Sequence, residues 1–303
     1  MKKYIIFSTT SYSYLMEELL AISSFEKGQI ERHFFPDGEL YLQILNDVEN
    51  KDVILIGGTI DDMNTLELYD LAMGIVQLGA RSLQIIIPYF GYSTMERAVK
   101  KGEIVKAKNR ATLLSAIPMC TENNVLYLMD LHSEGIPHYF DHHVRTHHIY
   151  CKDIFINEIK NNTLVNVVLA ATDAGRAKWV ESLAFEMNIG SAFVYKHRLQ
   201  GDETVITGVN ANVQNKTVYI YDDMIRTGGS LIKAAQAYHD AGAKEIIAMT
   251  THGLFNNGAL EKIEKSGLFT KVITTNTHPN VLNLKNQFIQ IKSVAGIIFE
   301  IIH

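Results

Sequence analysis

Residues 218–230 read Val-Tyr-Ile-Tyr-Asp-Asp-Met-Ile-Arg-Thr-Gly-Gly-Ser. An apolar run, two acids and a small-residue turn, in that order, are the parts of an anion-binding strand–turn–helix. Gly228 and Gly229 let the backbone turn tightly, so that successive N–H groups face one concavity. A helix starting near Ser230 adds the positive end of its dipole to the same place. A cup built from Arg226, Thr227, Gly228, Gly229 and Ser230 would take a phosphate. Asp222 and Asp223 beside it can accept hydrogen bonds from sugar hydroxyls or help to hold Mg²⁺. The same residues also fit a plain strand-to-helix turn capped by Thr or Ser, with solvated acids. Other chemistry-bearing residues are less specific. The pairs His142-His143 and His147-His148 invite a zinc reading, but they are adjacent rather than four apart on one helix face. No cysteine stands at ligand spacing from them. An interdomain segment with partly exposed histidines is the better reading. Trp179 could stack on a base, or pack half-buried at a helix start.

The elements that must position these residues are short. Asp52–Ile56, Gln84–Ile87, Val125–Met129, Val165–Ala170, Thr217–Tyr221 and Glu245–Met249 are continuous apolar runs of strand length. Such runs, rather than alternating ones, mark parallel strands covered on both faces. Amphipathic stretches lie between them. Asn64 followed by Glu67 has the form of a capping box, Leu68, Leu71, Ala72, Ile75 and Val76 repeat at helical spacing, and Gly79 ends the pattern. Strand–helix alternation predicts an α/β doubly wound fold with mostly parallel sheets. The helix–Gly79-Ala80-Arg81–strand pattern is echoed about half the chain later by Gly242-Ala243-Lys244 and Ile246–Met249. The echo predicts two similar domains, 1–148 and 149–303, although helix–Gly–strand units also recur by chance in this fold class. The final ~15 residues are expected to pack back on the first domain.

Composition bounds the function. The chain has 303 residues, 47% hydrophobic and 20% charged, an ordinary globular balance. With 28 basic and 33 acidic side chains it lacks the basic excess of a nucleic-acid binder. Cys120 and Cys151 cannot form a disulfide framework, which suits a reducing, cytoplasmic setting. No signal peptide or membrane-length apolar run is legible, so no membrane partner is expected.

The run Asp222–Ser230 resembles the phosphoribosyl-pyrophosphate-binding motif of type I phosphoribosyltransferases. Further segments are Phe34-Phe35-Pro36-Asp37-Gly38-Glu39, Ile87-Pro88-Tyr89-Phe90-Gly91-Tyr92, Asp130-Leu131-His132, Asp173-Ala174-Gly175, Lys196-His197-Arg198 and Thr251-His252-Gly253-Leu254-Phe255. Their order and spacing resemble the ribose-phosphate pyrophosphokinases over essentially the whole chain. The resemblance implies two domains of the type I phosphoribosyltransferase-like fold. It also implies transfer of the β,γ-diphosphoryl group of ATP to the anomeric hydroxyl of ribose 5-phosphate, with Mg²⁺. By motif match, Lys196 and Arg198 are the catalytic cations of a mobile loop. Phe35, Asp37, Glu39, Arg97 and His132 serve ATP, and His132 and Asp173 serve Mg²⁺. Asp173, Asp222 and Asp223 meet the ribose, and Arg226 to Ser230 cradle its 5-phosphate. In the family, the Phe35–Glu39 loop completes the ATP site of a neighbouring subunit, which implies a homo-oligomer.

Two departures stand out. The family usually carries Ala-Arg-Gln-Asp-Arg after the Tyr of the Pro-Tyr-Phe-Gly-Tyr segment. Here Ser93-Thr94-Met95-Glu96-Arg97 follows, so Thr94 and Met95 replace two ATP contacts and Arg97 remains. Arg226 stands where most members have Asp. Either it points outward into water, or it adapts the cup to a diphosphate-bearing acceptor such as ADP-ribose. The alternatives to ribose 5-phosphate are therefore the same chemistry on ADP-ribose, yielding a precursor for NAD, or a catalytically silent regulatory paralogue. A phosphoribosyltransferase would share only the Asp222–Ser230 motif.

Overall fold

The computed structural model describes residues 3–302 except 142–143, 163–164, 199–203 and 285; of residues 196–198 and 204–207 it describes the backbone only. The chain divides into two compact units, Met1–Tyr150 with Val294–His303, and Cys151–Ser293. In the first unit, β1 (Tyr4–Ser8), α1 (Ser13–Ile22), β2 (Glu26–Lys27), β3 (Ile30–Phe34), β4 (Leu40–Ile44), β5 (Asp52–Ile56), α2 (Asp62–Gln77), β6 (Ser82–Ile87), α3 (Lys106–Ser115), β7 (Asn123–Met129) and β8 (Arg145–Ile149) follow in order. Six strands form one parallel sheet, β2-β1-β5-β6-β7-β8, and β3 and β4 form a separate antiparallel hairpin. The strands Tyr4–Ser8 and Asp52–Ile56 are buried throughout, as their unbroken apolar sequences require. Leu68, Leu71, Ala72 and Ile75 of α2 pack with Val53, Leu55, Leu83 and Ile85 into one core.

The second unit contains α4 (Lys152–Asn162), β9 (Val167–Ala171), α5 (Ala177–Glu186), β10 (Gly190–Arg198), β11 (Thr204–Val209), β12 (Thr217–Ile225), α6 (Gly229–Asp240), β13 (Glu245–Gly253), α7 (Ala259–Lys265), β14 (Lys271–Thr275) and β15 (Ile289–Lys292). Its sheet runs β11-β10-β9-β12-β13-β14-β15, parallel except where β11 pairs antiparallel with β10. Val168, Ala170, Val218, Ile220, Ile246 and Ala248 line one face of this sheet against Leu231, Ala234, Ala235 and Tyr238 of α6. The last helix, α8 (Ala295–Ile302), belongs to the first unit, where Phe299 meets Phe25 at a ring separation of 6.2 Å.

The expected α/β class with two mainly parallel sheets is thus what the chain adopts. All six expected strands exist, two of them running beyond their apolar stretch: β12 reaches Ile225 and β13 reaches Gly253. Gly79 and Gly242 both close their helices in the left-handed region, at φ +82° and +88°. The capping box does not form. Asp61 caps α2 through its Oδ1, which accepts from the Asn64 N–H at 2.8 Å, and Asp62 already lies in the first turn. Asn64 is therefore inside the helix, and Glu67 is released for a different partner.

Candidate active site

In the second unit, β9 and β12 lie side by side, yet β9 continues through α5 to β10 on one side and β12 through α6 to β13 on the other. The crevice outside their carboxyl ends is a topological switch point, the usual ligand position in an open α/β sheet. Asp173 follows β9, and Asp222 to Ser230 span the end of β12 and the start of α6. The sheet thereby brings the expected sugar and phosphate residues together.

The turn into α6 is built as an anion cup requires. Gly228 holds φ +76°, and a Cβ there would approach Cγ1 of Ile263 to 2.9 Å, so both backbone and space demand glycine. The helix begins at Gly229, one residue before the expected start, with no side chain capping it. Its first N–H groups are left for a ligand. Arg226, Thr227, Gly229 and Ser230 are exposed around them.

The two acids play different parts. Asp223 is buried and paired with Arg176, Nη2 to Oδ2 2.7 Å. Asp222 accepts from the Thr172 hydroxyl at 3.1 Å and from the Asp223 N–H at 3.0 Å. Burial, and then the neighbouring Asp223 carboxylate, push the Asp222 carboxyl well above the usual range. Asp173 is partly exposed and closes its own turn, Oδ1 accepting from the Gly175 N–H at 2.9 Å. Behind the strand, Trp179 stacks on Tyr221 at 4.0 Å and 18°. That contact fits the packing role. Lys196 and Arg198 lie on β10, opposite Ile206 and Thr204 of β11, with a register shift between Tyr195 and Lys196. Their side chains are outside the described residues.

Magnesium fits this chemistry. Asp222 and Asp223 are neighbouring carboxylates at the end of β12. Asp223 is paired with Arg176, and burial followed by the Asp223 charge raises the proton affinity of Asp222, a charge clash that a cation would relieve. Among the described residues no three His, Cys, Asp or Glu side chains gather as a metal-ligand group. An ion held by one or two carboxylates, with phosphate oxygens completing its shell, is how Mg²⁺ is commonly bound.

In the first unit, Phe35, Asp37 and Glu39 form the tip of the β3–β4 hairpin. The Phe35 N–H donates to the Glu39 carbonyl at 2.9 Å, and the Glu39 N–H to Asp37 Oδ1 at 3.2 Å. All three are exposed. Arg97 follows β6, its guanidinium largely exposed and 3.5 Å from Glu96. His132 follows β7, beyond a turn in which Asp130 takes φ +38°. That turn is fastened to β8: the Asp130 N–H donates to the Ile149 carbonyl at 2.8 Å and the Leu131 N–H to His148 Nε2 at 2.9 Å. His147 and His148 are therefore strand residues rather than part of an irregular interdomain segment, and the His142-His143 pair lies outside the described residues. Sequence reasoning missed Arg176, Thr172 and His148. Arg176 follows Asp173 by three residues and could have been suspected as the cation facing the acid pair.

A helix N-terminus left open at a switch point, flanked by acids suited to a sugar, marks a sugar-phosphate-binding enzyme of the α/β class. Comparison with known proteins narrows the class. Residues 4–117 match the N-terminal domain of ribose phosphate pyrophosphokinase, and residues 197–303 match the phosphoribosyl synthetase-associated domain. The ribose-phosphate pyrophosphokinase of Synechococcus elongatus is 32% identical over 302 residues, 98% of this chain and 89% of that protein. The enzyme of Gloeobacter violaceus is 33% identical over 278 residues, 91% of this chain and 82% of that one. In fold, the chain is similar to the phosphoribosylpyrophosphate synthetase of Mycobacterium smegmatis, with a TM-score of 0.87, 22% identity and 99% and 98% of the two chains covered. The chain belongs to the ribose-phosphate pyrophosphokinase family.

Proposed function

We propose that the protein is a ribose-phosphate diphosphokinase that makes phosphoribosyl pyrophosphate and AMP from ribose 5-phosphate and ATP. The anomeric oxygen of the sugar forms a bond to the β-phosphorus of ATP as the bond from that phosphorus to the α,β-bridging oxygen breaks. The bridging oxygen leaves on AMP, and the hydroxyl proton passes to water. The observation that carries the reading is the cup at Gly228, with Asp222 and Asp173 at the same switch point, in a chain that matches the family along its length. The N–H groups at the start of α6, with Thr227 and Ser230, hold the 5-phosphate, and Arg226 flanks the cup at its mouth. Asp222 and Asp173 accept from the ribose hydroxyls, and Asp223, fixed by Arg176, orients the pair. Lys196 and Arg198 meet the charge on the transferring group, where positioned cations are the main catalytic means available. His132, Arg97, Phe35, Asp37 and Glu39 bind ATP. When bound, one Mg²⁺ would be held with ATP at His132 and a second near Asp173 and the ribose, each neutralising phosphate charge and polarising the group beside it. The active form is a homo-oligomer with Phe35–Glu39 reaching a neighbouring subunit's ATP site. Among the described residues no helix is long and apolar enough to cross a membrane. Cys120 and Cys151 are both buried and neither forms a disulfide, which supports a cytoplasmic setting.

The exposure of Arg226 at the mouth of the cup favours one second reading, in which the acceptor is ADP-ribose. A guanidinium there is placed to meet a second phosphate. The test is incubation with ATP, Mg²⁺ and either sugar, followed by AMP release and product mass. Phosphoribosyl pyrophosphate formation is expected. If AMP appears with ADP-ribose alone, the acceptor assignment changes, and if it appears with neither, the enzymatic reading falls. Arg226→Asp should leave ribose 5-phosphate turnover within about threefold, whereas an enzyme acting on ADP-ribose would lose about 10-fold or more in kcat/KM.

A further inference from the structure

The β3–β4 hairpin keeps the alternation expected of a strand pair lying on a core except at one residue, Arg32. From the register, Ile30, Arg32 and Phe34 share one face with Leu40, Leu42 and Ile44, while Glu31 and His33 share the other with Tyr41 and Gln43. Ile30, Leu42 and Ile44 pack against the first unit's core, so their face is the inner one. Arg32 is a charge on that inner face. The outer face carries aromatic rings instead: His33 stacks on Tyr41 at 4.5 Å, and Phe35 stands edge-on to both at 5.2 and 6.0 Å. Arg32 is thus the one charge on an otherwise apolar inner face, which burial alone does not explain, and such local violations mark functional positions.

Arg32 has a built receptor. Its Nε donates to Glu67 Oε1 at 3.0 Å and its Nη2 to the Ser8 carbonyl at 2.5 Å. Glu67, on α2, is buried, and the same Oε1 accepts from the N–H and hydroxyl of Thr10 at 2.9 and 2.8 Å. One guanidinium thus ties the hairpin both to α2 and to the end of β1. Among the described residues the hairpin pairs with no other strand, and an isolated two-stranded sheet is at best marginally stable. Its direction therefore depends on what fastens it. Apolar packing by Ile30, Leu42 and Ile44 is non-directional, whereas a forked guanidinium held at two acceptors fixes an angle. We infer that Arg32, held by Glu67, is a positioning residue that sets where Phe35, Asp37 and Glu39 are presented to ATP. The inference rests on the reading of that loop as part of an ATP site.

The test compares three variants by steady-state kinetics and melting temperature. Removing Arg32 alone would strand a buried carboxylate, so the informative protein is the double variant Arg32→Leu/Glu67→Leu, because replacing both partners of a buried pair by apolar groups is often neutral for stability. It should melt within about 3 °C of the wild type. KM for ATP should rise about 10-fold or more. kcat at saturating ATP and KM for ribose 5-phosphate should stay within about twofold. Arg32→Lys, which keeps charge but not the fork, should fall between. Asp37→Ala should also raise KM for ATP. A double variant with wild-type KM for ATP, beside an impaired Asp37→Ala, would overturn the positioning role while leaving the loop assignment standing. Parallel losses in kcat and both KM values with a large fall in melting temperature would reduce the pair to a structural one. Wild-type KM in Asp37→Ala would remove the loop from the ATP site, and the inference with it.

Discussion

Asp222 and Asp223 differ by one residue in sequence and by their partners in the fold, and the difference has a pH signature. Asp223 has Arg176 at 2.7 Å, whereas Asp222 is held above its usual range by burial and by Asp223. A carboxyl whose folded pKa lies above its unfolded value loses stabilisation as pH rises from that unfolded value through the folded one. Below the unfolded pKa the stability is fully present. Asp222→Asn removes this dependence. Its melting temperature should exceed the wild type's by about 2 °C or more at pH 8, with the gap closing towards pH 4, while turnover collapses. A gap that is constant with pH would show that Asp222 ionises normally in the apo protein. His278 carries the opposite sign. Burial, and then His252, lower its pKa to about 4, so stability should fall as pH drops from the ordinary histidine range through that value. His278→Leu should flatten that acid limb in melting curves. The proposed catalytic cations give the third expectation at this scale. Lys196→Ala and Arg198→Ala should each lower kcat by about 10²-fold or more with little change in melting, and the double variant should lose less than the product of the two. Normal turnover in both would remove them from the mechanism.

At the scale of elements, the two units answer one question in opposite ways. In the first, the helix after the switch-point strand β5 caps itself with Asp61 and places Asp62 in its first turn, so negative charge sits where a phosphate would need positive. In the second, α6 starts at Gly228–Gly229 with no cap of its own. Of these two helix starts only the second leaves its N–H groups uncapped, as the proposed phosphate cup needs, and glycine is what leaves it open. Gly228→Ala should cost about 1–3 kcal/mol of stability through the left-handed φ and the approach to Ile263. It should also raise KM for the sugar phosphate far more than KM for ATP; equal rises would place the cup elsewhere. Much of this was legible in sequence. Thr217–Tyr221 and Asp52–Ile56 are continuous apolar runs whose length admits only buried strands, and the Asp-Asp at the end of β12 with the Thr-Gly-Gly-Ser after it pointed to the proposed cup. What was not legible depends on partners distant in sequence. Asn64 and Glu67 have capping-box spacing, but Asp61, three residues earlier, captures the Asn64 N–H, and Glu67 turns to Thr10 and Arg32. The role of the hairpin hid for a related reason, since in Ile-Glu-Arg-His-Phe the arginine falls on the inner face between Ile30 and Phe34. The spacing of Arg176 from Asp173 hints at a cation near the acids, but its pairing with Asp223 rather than Asp222 is set by the fold.

At the scale of the whole molecule, the proposed site divides into two sets of parts with different structural character. Asp173, Asp222 and the cup sit on a buried sheet of the second unit, fixed by neighbouring strands. Phe35, Asp37 and Glu39 sit at the exposed tip of a hairpin in the first unit, and nothing in their own turn requires an ATP site to be near them in the same chain. An exposed loop with an aromatic ring on a fastened hairpin is suited to reach another copy of the protein, and closed symmetry would then give every subunit one borrowed loop. This arrangement makes a prediction that a site built within one chain does not share. Asp37→Ala damages the lent loop, whereas Lys196→Ala damages the receiving site, so the two defects are complementary. Each variant alone should be nearly inactive. Co-expressed in equal amounts, they should form mixed oligomers in which about a quarter of the sites combine an intact loop with an intact Lys196, and activity should return to about a quarter of the wild-type value. Size measured by light scattering should be the same for all three preparations. If co-expression restores nothing while the mixed oligomers form, loop and cations belong to the same chain at each site. If the wild type scatters as a monomer with full activity, no loop is shared at all.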